Sequence, residues 1–405
     1  MPTLNKIRMA LTGTDHSPSS TPLTALRIAL TAFFAVDGFV FAGWVVRIPA
    51  IKAQVGASSG ALGLALLGVS AGAVATMVFT GRLCHRFGSH PVTVGCAALL
   101  ALSVALPPLT HSATALGLVL LVFGAAYGGL NVAMNSAAVD LVAALRRPVM
   151  PGFHAAFSFG GLVGAGLGGL LAPHLSPTRH LLLLTPIALV ATAVAGRVLL
   201  RHPVPHVNAA DSASPRPRSH PGGRWLVVVF GLIALCTAYG EGALADWSAL
   251  HLTQDLGSGP GLAAAAYAPF ALAMAVGRLS GTALLERFGQ TRTLVFGGLT
   301  ATVGMLLGAL APVPWLVLAG FAVTGLGLAN VFPVAIARAG ALAGPGGVAA
   351  ASTLGYGGML LGPPSIGFLA DAVGLPLALT TVALLAAVAA LIAFAVRNAE
   401  PRASR

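Results

Sequence analysis

Apolar residues run along this chain in blocks of about 20, the length a helix needs to cross a bilayer. Proline, glycine or charged clusters close each block. The blocks cover roughly 25–48, 59–81, 91–109, 113–139, a stretch opening at 151, 180–200, 224–251, 260–284, 291–310, 314–337, 347–370 and 375–396. Their lengths and flanks suit helices rather than barrel strands, which alternate over about 10 residues. One long polar stretch interrupts them: residues 201–223 carry prolines, serines, Arg216 and Arg218 and read as a disordered linker. Residues 1–23 are polar and hold no cleavable leader, because the first apolar block is itself a full span.

Composition excludes a soluble enzyme. Of 405 residues, 57% are hydrophobic and 8% charged, with a mean hydropathy of +0.89; a soluble domain carries about 25% charged residues. The net charge of +12 would suit nucleic acid, but its distribution argues otherwise. With a cytoplasmic N-terminus, only Arg47, Lys52 and Arg179 of the 22 Lys and Arg fall outside. That is the positive-inside bias, and it needs no nucleic acid. Cys84, Cys96 and Cys236 form no CxxC and are odd in number, so free thiols are expected. His202 and His206 are separated by Pro203 and Pro205, which deny them a helix and a metal site. No cofactor or metal is expected, and the chain reads as a monomer.

Two spans carry acids at depth. Asp37-Gly38 precedes Trp44 in the first, and Glu241-Gly242 precedes Trp247 in the seventh, about 200 residues later. Asp37 and Glu241 lie about 13 and 17 residues into their spans, near the midplane at 1.5 Å per residue. A carboxylate there is costly and marks a functional site, although Asp37 could also serve as a hydrogen-bonder to a neighbouring helix. A group that gains and loses its proton as a cavity faces each side in turn is what coupling requires. Asp246 follows Glu241 by five residues, about 140° around a helix, so both reach one cavity only if Gly240 and Gly242 unwind. Arg47, about 15 Å along the helix from Asp37, is too far for a direct pair and can anchor at the interface or meet substrate.

Polar stripes add candidates. Tyr127, Asn131 and Asn135 repeat at i, i+4, i+8 in span 4, as interhelical glue or as a cavity face. Asn330 in Gly327-Leu-Ala-Asn330-Val331 echoes Asn131 in the second half. His154 and Ser158 share a face in span 5; the histidine is an interfacial hydrogen-bonder or a proton carrier, and without an orienting acid the two make a weak nucleophile–base pair. Pro363-Pro364 should kink span 11.

The loops repeat too. Gly81-Arg-Leu-Cys-His-Arg86-Phe-Gly88 after span 2 is matched by Thr282-Ala-Leu-Leu-Glu286-Arg287-Phe-Gly289 after span 8. Twelve spans, a 6+6 repeat and these turns resemble the major facilitator superfamily over essentially the whole chain. The resemblance implies an all-α membrane protein of 12 transmembrane helices in two pseudo-symmetric six-helix bundles, residues 1–200 and 224–405, joined by a cytoplasmic linker at 201–223. It also implies a conformational latch at Gly81, Arg86, Gly88, Glu286, Arg287 and Gly289. His85 stands where the family pattern has an aspartate, which puts the first-half latch in question. Residues 43–52, 153–161 and 241–248 resemble the YbjJ-type inner-membrane branch, distantly similar to fucose permease.

These features imply no enzyme but a secondary transporter of the bacterial inner membrane, moving a small organic solute by proton-coupled symport. Drug/proton antiport is the competing reading, weakened because span 4 lacks arginine and span 5 lacks a Gly-Pro signature; a receptor or enzyme comes third. The proton-coupling and substrate candidates are Asp37, Glu241, Asp246, Tyr127, Asn131, Asn135, His154 and Asn330; the partners are solute, protons and lipid. Both termini should be cytoplasmic. Reporter fusions in the loops at Pro260 and Arg218 should therefore read periplasmic and cytoplasmic; equal or reversed signals would contradict this orientation.

Overall fold

The computed structural model describes residues 20–145, 149–202 and 223–398, and the linker expected at 201–223 lies almost wholly outside them. In the first half, helices α1 (Ser20–Val45), α2 (Ile48–Val55), α3 (Ser59–Phe87), α4 (Ser89–Ser103), α5 (Ala113–Leu145), α6 (Met150–Leu171) and α7 (Pro177–Arg201) follow one another. The second half holds α8 (Gly223–Gln254), α9 (Pro260–Ala264), α10 (Tyr267–Leu279), α11 (Gly281–Leu310), α12 (Pro314–Leu328), α13 (Val331–Val373) and α14 (Leu375–Ala395). Eleven segments of the described chain are individually long and apolar enough to span a membrane. The twelfth is the returning limb of α13. The chain reverses within that helix, because Gly355 lies against the Phe332 ring and Gly347 against the Ala339 carbonyl. Its glycines and Pro363-Pro364 dilute its apolar content. Pro363 and Pro364 lie within the helical returning limb.

Local chemistry sets the boundaries. Span 1 ends three residues earlier than its apolar run, and Pro49 opens the short α2 instead. Ser58 caps α3, its hydroxyl accepting from the Ala61 N–H at 3.1 Å. At Gly88 (φ 87°) and Gly289 (φ 75°) the backbone turns through the left-handed region, which glycine alone enters without strain. Both follow an Arg-Phe pair, so the sequence repeat is a repeat of backbone geometry.

Small residues let the helices touch. Gly160 of α6 meets the Ala35 carbonyl of α1, and in the second half Gly358 of α13 meets the Leu235 carbonyl of α8. Likewise Gly124 of α5 meets the Val69 carbonyl of α3, as Gly325 of α12 meets that of Phe270 in α10. A methyl at any of these would strike backbone. Without a hydrophobic drive between helices in lipid, such close approach supplies the packing energy. The pseudo-symmetry is thus visible at the level of single contacts.

The halves meet at the end where α1 finishes, here termed the far end. Gly63 abuts the Pro363 carbonyl, Gly367 the Ser59 carbonyl, and Gly169 the Ala265 side chain. Ala42, Val46, Ala165 and Ala264 form one apolar plug there. Asp371, from the second half, accepts from Ser58 Oγ (3.0 Å), Ser59 N (2.9 Å) and Gly60 N (2.8 Å) at the start of α3. Lys52 Nζ reaches Gln254 Oε1 at 3.4 Å across the same seam. Ser70 Oγ donates to the Met359 carbonyl at 3.0 Å nearer the middle.

Asp371 acts as a cap delivered from the opposite half, where the helix dipole favours an anion. Slight desolvation works against its charge, yet the Gly60, Ser58 and Ser59 hydrogen bonds and nearby Lys52 hold its carboxyl below the usual range. Its contribution to closure is therefore complete above the ordinary carboxylate range and fades as pH falls through its lowered value. Cysteines replacing Gly169 and Ala265, in a background lacking the three native thiols, should crosslink readily. Adding Asp371→Asn should slow that crosslinking severalfold at neutral pH; an unchanged rate would show that Asp371 does not hold the seam.

Candidate functional site

A small hollow lies between the halves below the far-end plug, lined by Phe41, Phe157, Ser158, Glu241, Tyr267 and Arg278 among others. It is positioned by α1 and α6 from one half and α8 and α10 from the other. His154, one turn from Ser158 towards the linker end, is exposed, edge-on to Phe34 at 5.4 Å. It also stands within electrostatic reach of Arg278. His154 thus stands on the linker-end side of the hollow, opposite the far-end plug.

Glu241 does not stand alone. Arg278 of α10 donates from Nη2 to both of its carboxylate oxygens at 3.2 Å, with side-chain exposures of 28% for Arg278 and 22% for Glu241. An acid at membrane depth demands a cation, hydrogen bonds or water, and here the adjacent helix supplies the cation. Arg278 was not among the residues the sequence singled out. The signal was present: an arginine inside the apolar run of span 8 and an acid in span 7 without a visible partner.

Asp37 is the opposite case. It is fully buried, and neither carboxyl oxygen has a hydrogen-bond partner among the described residues. Its neighbour Gly38 packs on the Phe157 carbonyl of α6. Phe41, on the same face, stacks on Tyr127 with ring centroids 5.1 Å apart, and Trp44 lies 6.3 Å from Phe123. Tyr127 sits within electrostatic reach of Asp37, Tyr356 and Glu241.

Other candidates divide. Asp246 is half-buried and does not line the hollow, though Tyr267 is within reach of Glu241, Arg278 and Asp246. Helix α8 runs unbroken through Gly240 and Gly242, so the unwinding that would aim both acids at one point is not found. Asn135 Nδ2 donates to the Asn131 carbonyl (2.8 Å) and reaches its Oδ1 (3.4 Å), bonds within α5 rather than between helices. Ser158 Oγ donates to the His154 carbonyl at 3.2 Å, so no nucleophile–base pair forms there. Asn330 Nδ2 donates to the Gly277 carbonyl at 2.8 Å, fixing the backbone one residue before Arg278. It positions the cation rather than touching the hollow.

Arg47 does not reach the interface. It is 3% exposed, and its Nε donates to His180 Nδ1 of α7 at 2.8 Å. At the linker end, Arg86 lies over Phe87 (5.2 Å) and Arg287 over Phe288 (5.5 Å), cation–π contacts related by the repeat. Gly81 at the end of α3 and Glu286 in α11 are exposed, and neither takes part in an ion pair among the described residues. Among the described residues, neither turn makes an ion pair across the halves.

Comparison with known proteins gives a consistent picture. The family model described as Major Facilitator Superfamily matches residues 28–281 and 230–405. An uncharacterised MFS-type transporter of Yersinia pestis is 33% identical over 377 residues, 91% of this chain and 95% of its own length. Membrane protein MosC of Rhizobium meliloti is 30% identical over 93% of this chain and 91% of its own. Among solved structures, a bacterial homolog of the human lysosomal transporter Spinster, inward-facing and unoccupied, aligns with a TM-score of 0.76 at 15% identity, covering 93% of this chain and 97% of that one. A point mutant of the nucleoside transporter NupG aligns at 0.70, also 15% identical, covering 91% of this chain and 98% of its own.

The ion pair generates a test of the site. Arg278→Gln and Glu241→Gln should each cost roughly 1–2 kcal/mol, because each leaves one charge uncompensated in a half-wet hollow. The double variant should melt closer to the parent than the sum predicts, with a coupling of about 1 kcal/mol. Additive losses in Tm would mean that the pair contributes nothing to the fold.

Proposed function

The chain belongs to the major facilitator superfamily, and from that premise we propose that it moves a small polar organic solute by alternating access as a proton symporter. The observation that carries this reading is Asp37, a fully buried carboxyl without a partner among the described residues, beside a hollow lined from both halves. A carboxyl fixed as an anion at that depth would be strongly penalised, so a seat of this kind suits a group that travels with a proton. Glu241 and Arg278 face the solute, and closure at the far end with opening towards the linker end gives one of the two states that alternation needs. In this reading the termini and linker are cytoplasmic, the halves are residues 1–200 and 224–405, and the monomeric protein sits in the inner membrane as one of the YbjJ-type, fucose permease-like branch.

Drug/proton antiport is the second reading, supported by the apolar part of the lining: Phe41, Phe157, Phe270 and Met274. Right-side-out and inverted vesicles separate the two by the direction of proton-driven flux.

Asp37→Asn should abolish gradient-driven accumulation while sparing solute exchange, because the amide mimics a permanently protonated acid. Counterflow compared with proton-driven uptake makes the measurement; concentrative uptake by Asp37→Asn with the parent's pH dependence would make Asp37 structural.

A further inference from the structure

The grip between Arg278 and Glu241 is incomplete in a particular way. A guanidinium presents five N–H donors, and its strongest match to a carboxylate is a fork of two nitrogens on two oxygens. Here one nitrogen, Nη2, serves both Glu241 oxygens. Nε and Nη1 of Arg278 make no hydrogen bond among the described residues, on a side chain that lines the hollow and is 28% exposed. A second acceptor can therefore dock singly on Nε or Nη1 from the hollow; both forks of a guanidinium include Nη2, so a carboxylate fork opens only when Glu241 gives that nitrogen up.

Charge decides what can fill it. Glu241 and Arg278 are the charged residues lining the hollow, and together they are neutral. A cationic solute would have to draw Glu241 away and strand Arg278. An anionic solute would place two carboxylates on one guanidinium, which like-charge repulsion disfavours while both stay ionised. The conflict disappears when Glu241 takes a proton from the medium. The Arg278–Glu241 ion pair breaks, an O–H bond forms on Glu241, the solute carboxylate pairs with Arg278, and the net charge of the hollow is unchanged. Release reverses each step.

Resting on the symport reading above, we propose that the solute is a small organic anion with a carboxylate, which replaces Glu241 on Arg278 as Glu241 is protonated. The groups facing this exchange are His154 from α6, Tyr267 from α10, Tyr127 from α5, and through these tyrosines Tyr356, Asp37 and Asp246. Asn330 and Ser280 hold the Gly277 carbonyl at 2.8 and 3.0 Å, which keeps the guanidinium in place while its partner changes. Phe41, Phe157 and Phe270 receive the apolar or ring face of the solute.

Thermal shift of the purified full-length protein tests this with matched probes: benzoate, benzamide and benzylamine, and gluconate, gluconamide and glucamine. At least one carboxylate should raise Tm where its amide and amine do not, and more strongly at pH 5.5 than at pH 7.5. Arg278→Gln should weaken its Kd about tenfold or more, the loss of a charge-assisted bond. Glu241→Gln should bind the carboxylate with no pH dependence over that range. If Arg278→Gln folds poorly, the Glu241→Gln/Arg278→Gln double variant, which strands no charge, replaces it and should lose the carboxylate response. The inference is overturned if no carboxylate shifts Tm, if amides or amines match it, or if the response survives loss of Arg278. A neutral solute that is accumulated, and uncoupled by Asp37→Asn, would overturn this inference and leave symport standing. A carboxylate that binds through Arg278 but is never driven by a proton gradient would do the reverse.

Discussion

The Arg278–Glu241 ion pair ties α8 to α10 at the point where the two halves face each other, and much of the architecture serves it. A charge in a bilayer must be paired, neutral or wet. Here pairing and partial wetting act together: the acid comes from one helix, the cation from the next, and the hollow brings water to both. Asn330 fixes the backbone beside the cation. Asp37, in the matching helix of the first half, has neither cation nor hydrogen bond among the described residues. The pseudo-symmetric scaffold thus carries two acids with different electrostatic settings, and the asymmetry between them is where chemistry can enter.

The scaffold itself is held by contacts that resist change. Glycines pressed on carbonyls make each half a rigid body, since even one methyl would have to displace backbone. The seam between halves is of another kind. At the far end it consists of a small apolar plug, the Asp371 cap on α3, and the Lys52–Gln254 contact. The cap and the Lys52–Gln254 contact are polar, while the plug and the contacts of Gly63, Gly169 and Gly367 are apolar and close. Rocking between two states has to separate these contacts while each half keeps its own.

The fold was largely legible in the sequence, because apolar runs of bilayer length leave the backbone little choice but helix. The Gly88 and Gly289 turns were legible too, through the Arg-Phe-Gly repeat. The site was legible in part. Glu241 lines the hollow, while Asp37 is buried beside it and Tyr127 stacks on Phe41 of its lining. Arg278 was hidden because an arginine near a span end can snorkel outwards or turn inwards, and composition alone does not distinguish these. Arg47 misled in the opposite sense: it lies at a span end, yet packs inside on His180. The Asn131–Asn135 stripe suggested contacts across helices, but an i, i+4 spacing also lets the two bond each other. The reversal inside α13 falls between the apolar blocks that end near 337 and resume near 347.

The central claim is that the hollow containing the Arg278–Glu241 pair is sealed at the far end and open at the linker end. Double electron–electron resonance on the protein in nanodiscs tests it most directly, with spin labels on Ala53→Cys with Gly259→Cys at the far end, and on Arg82→Cys with Ala343→Cys at the other. The account predicts a short, narrow distance distribution for the first pair and a longer, broader one for the second. A short linker-end distance together with a long or broad far-end one would contradict it.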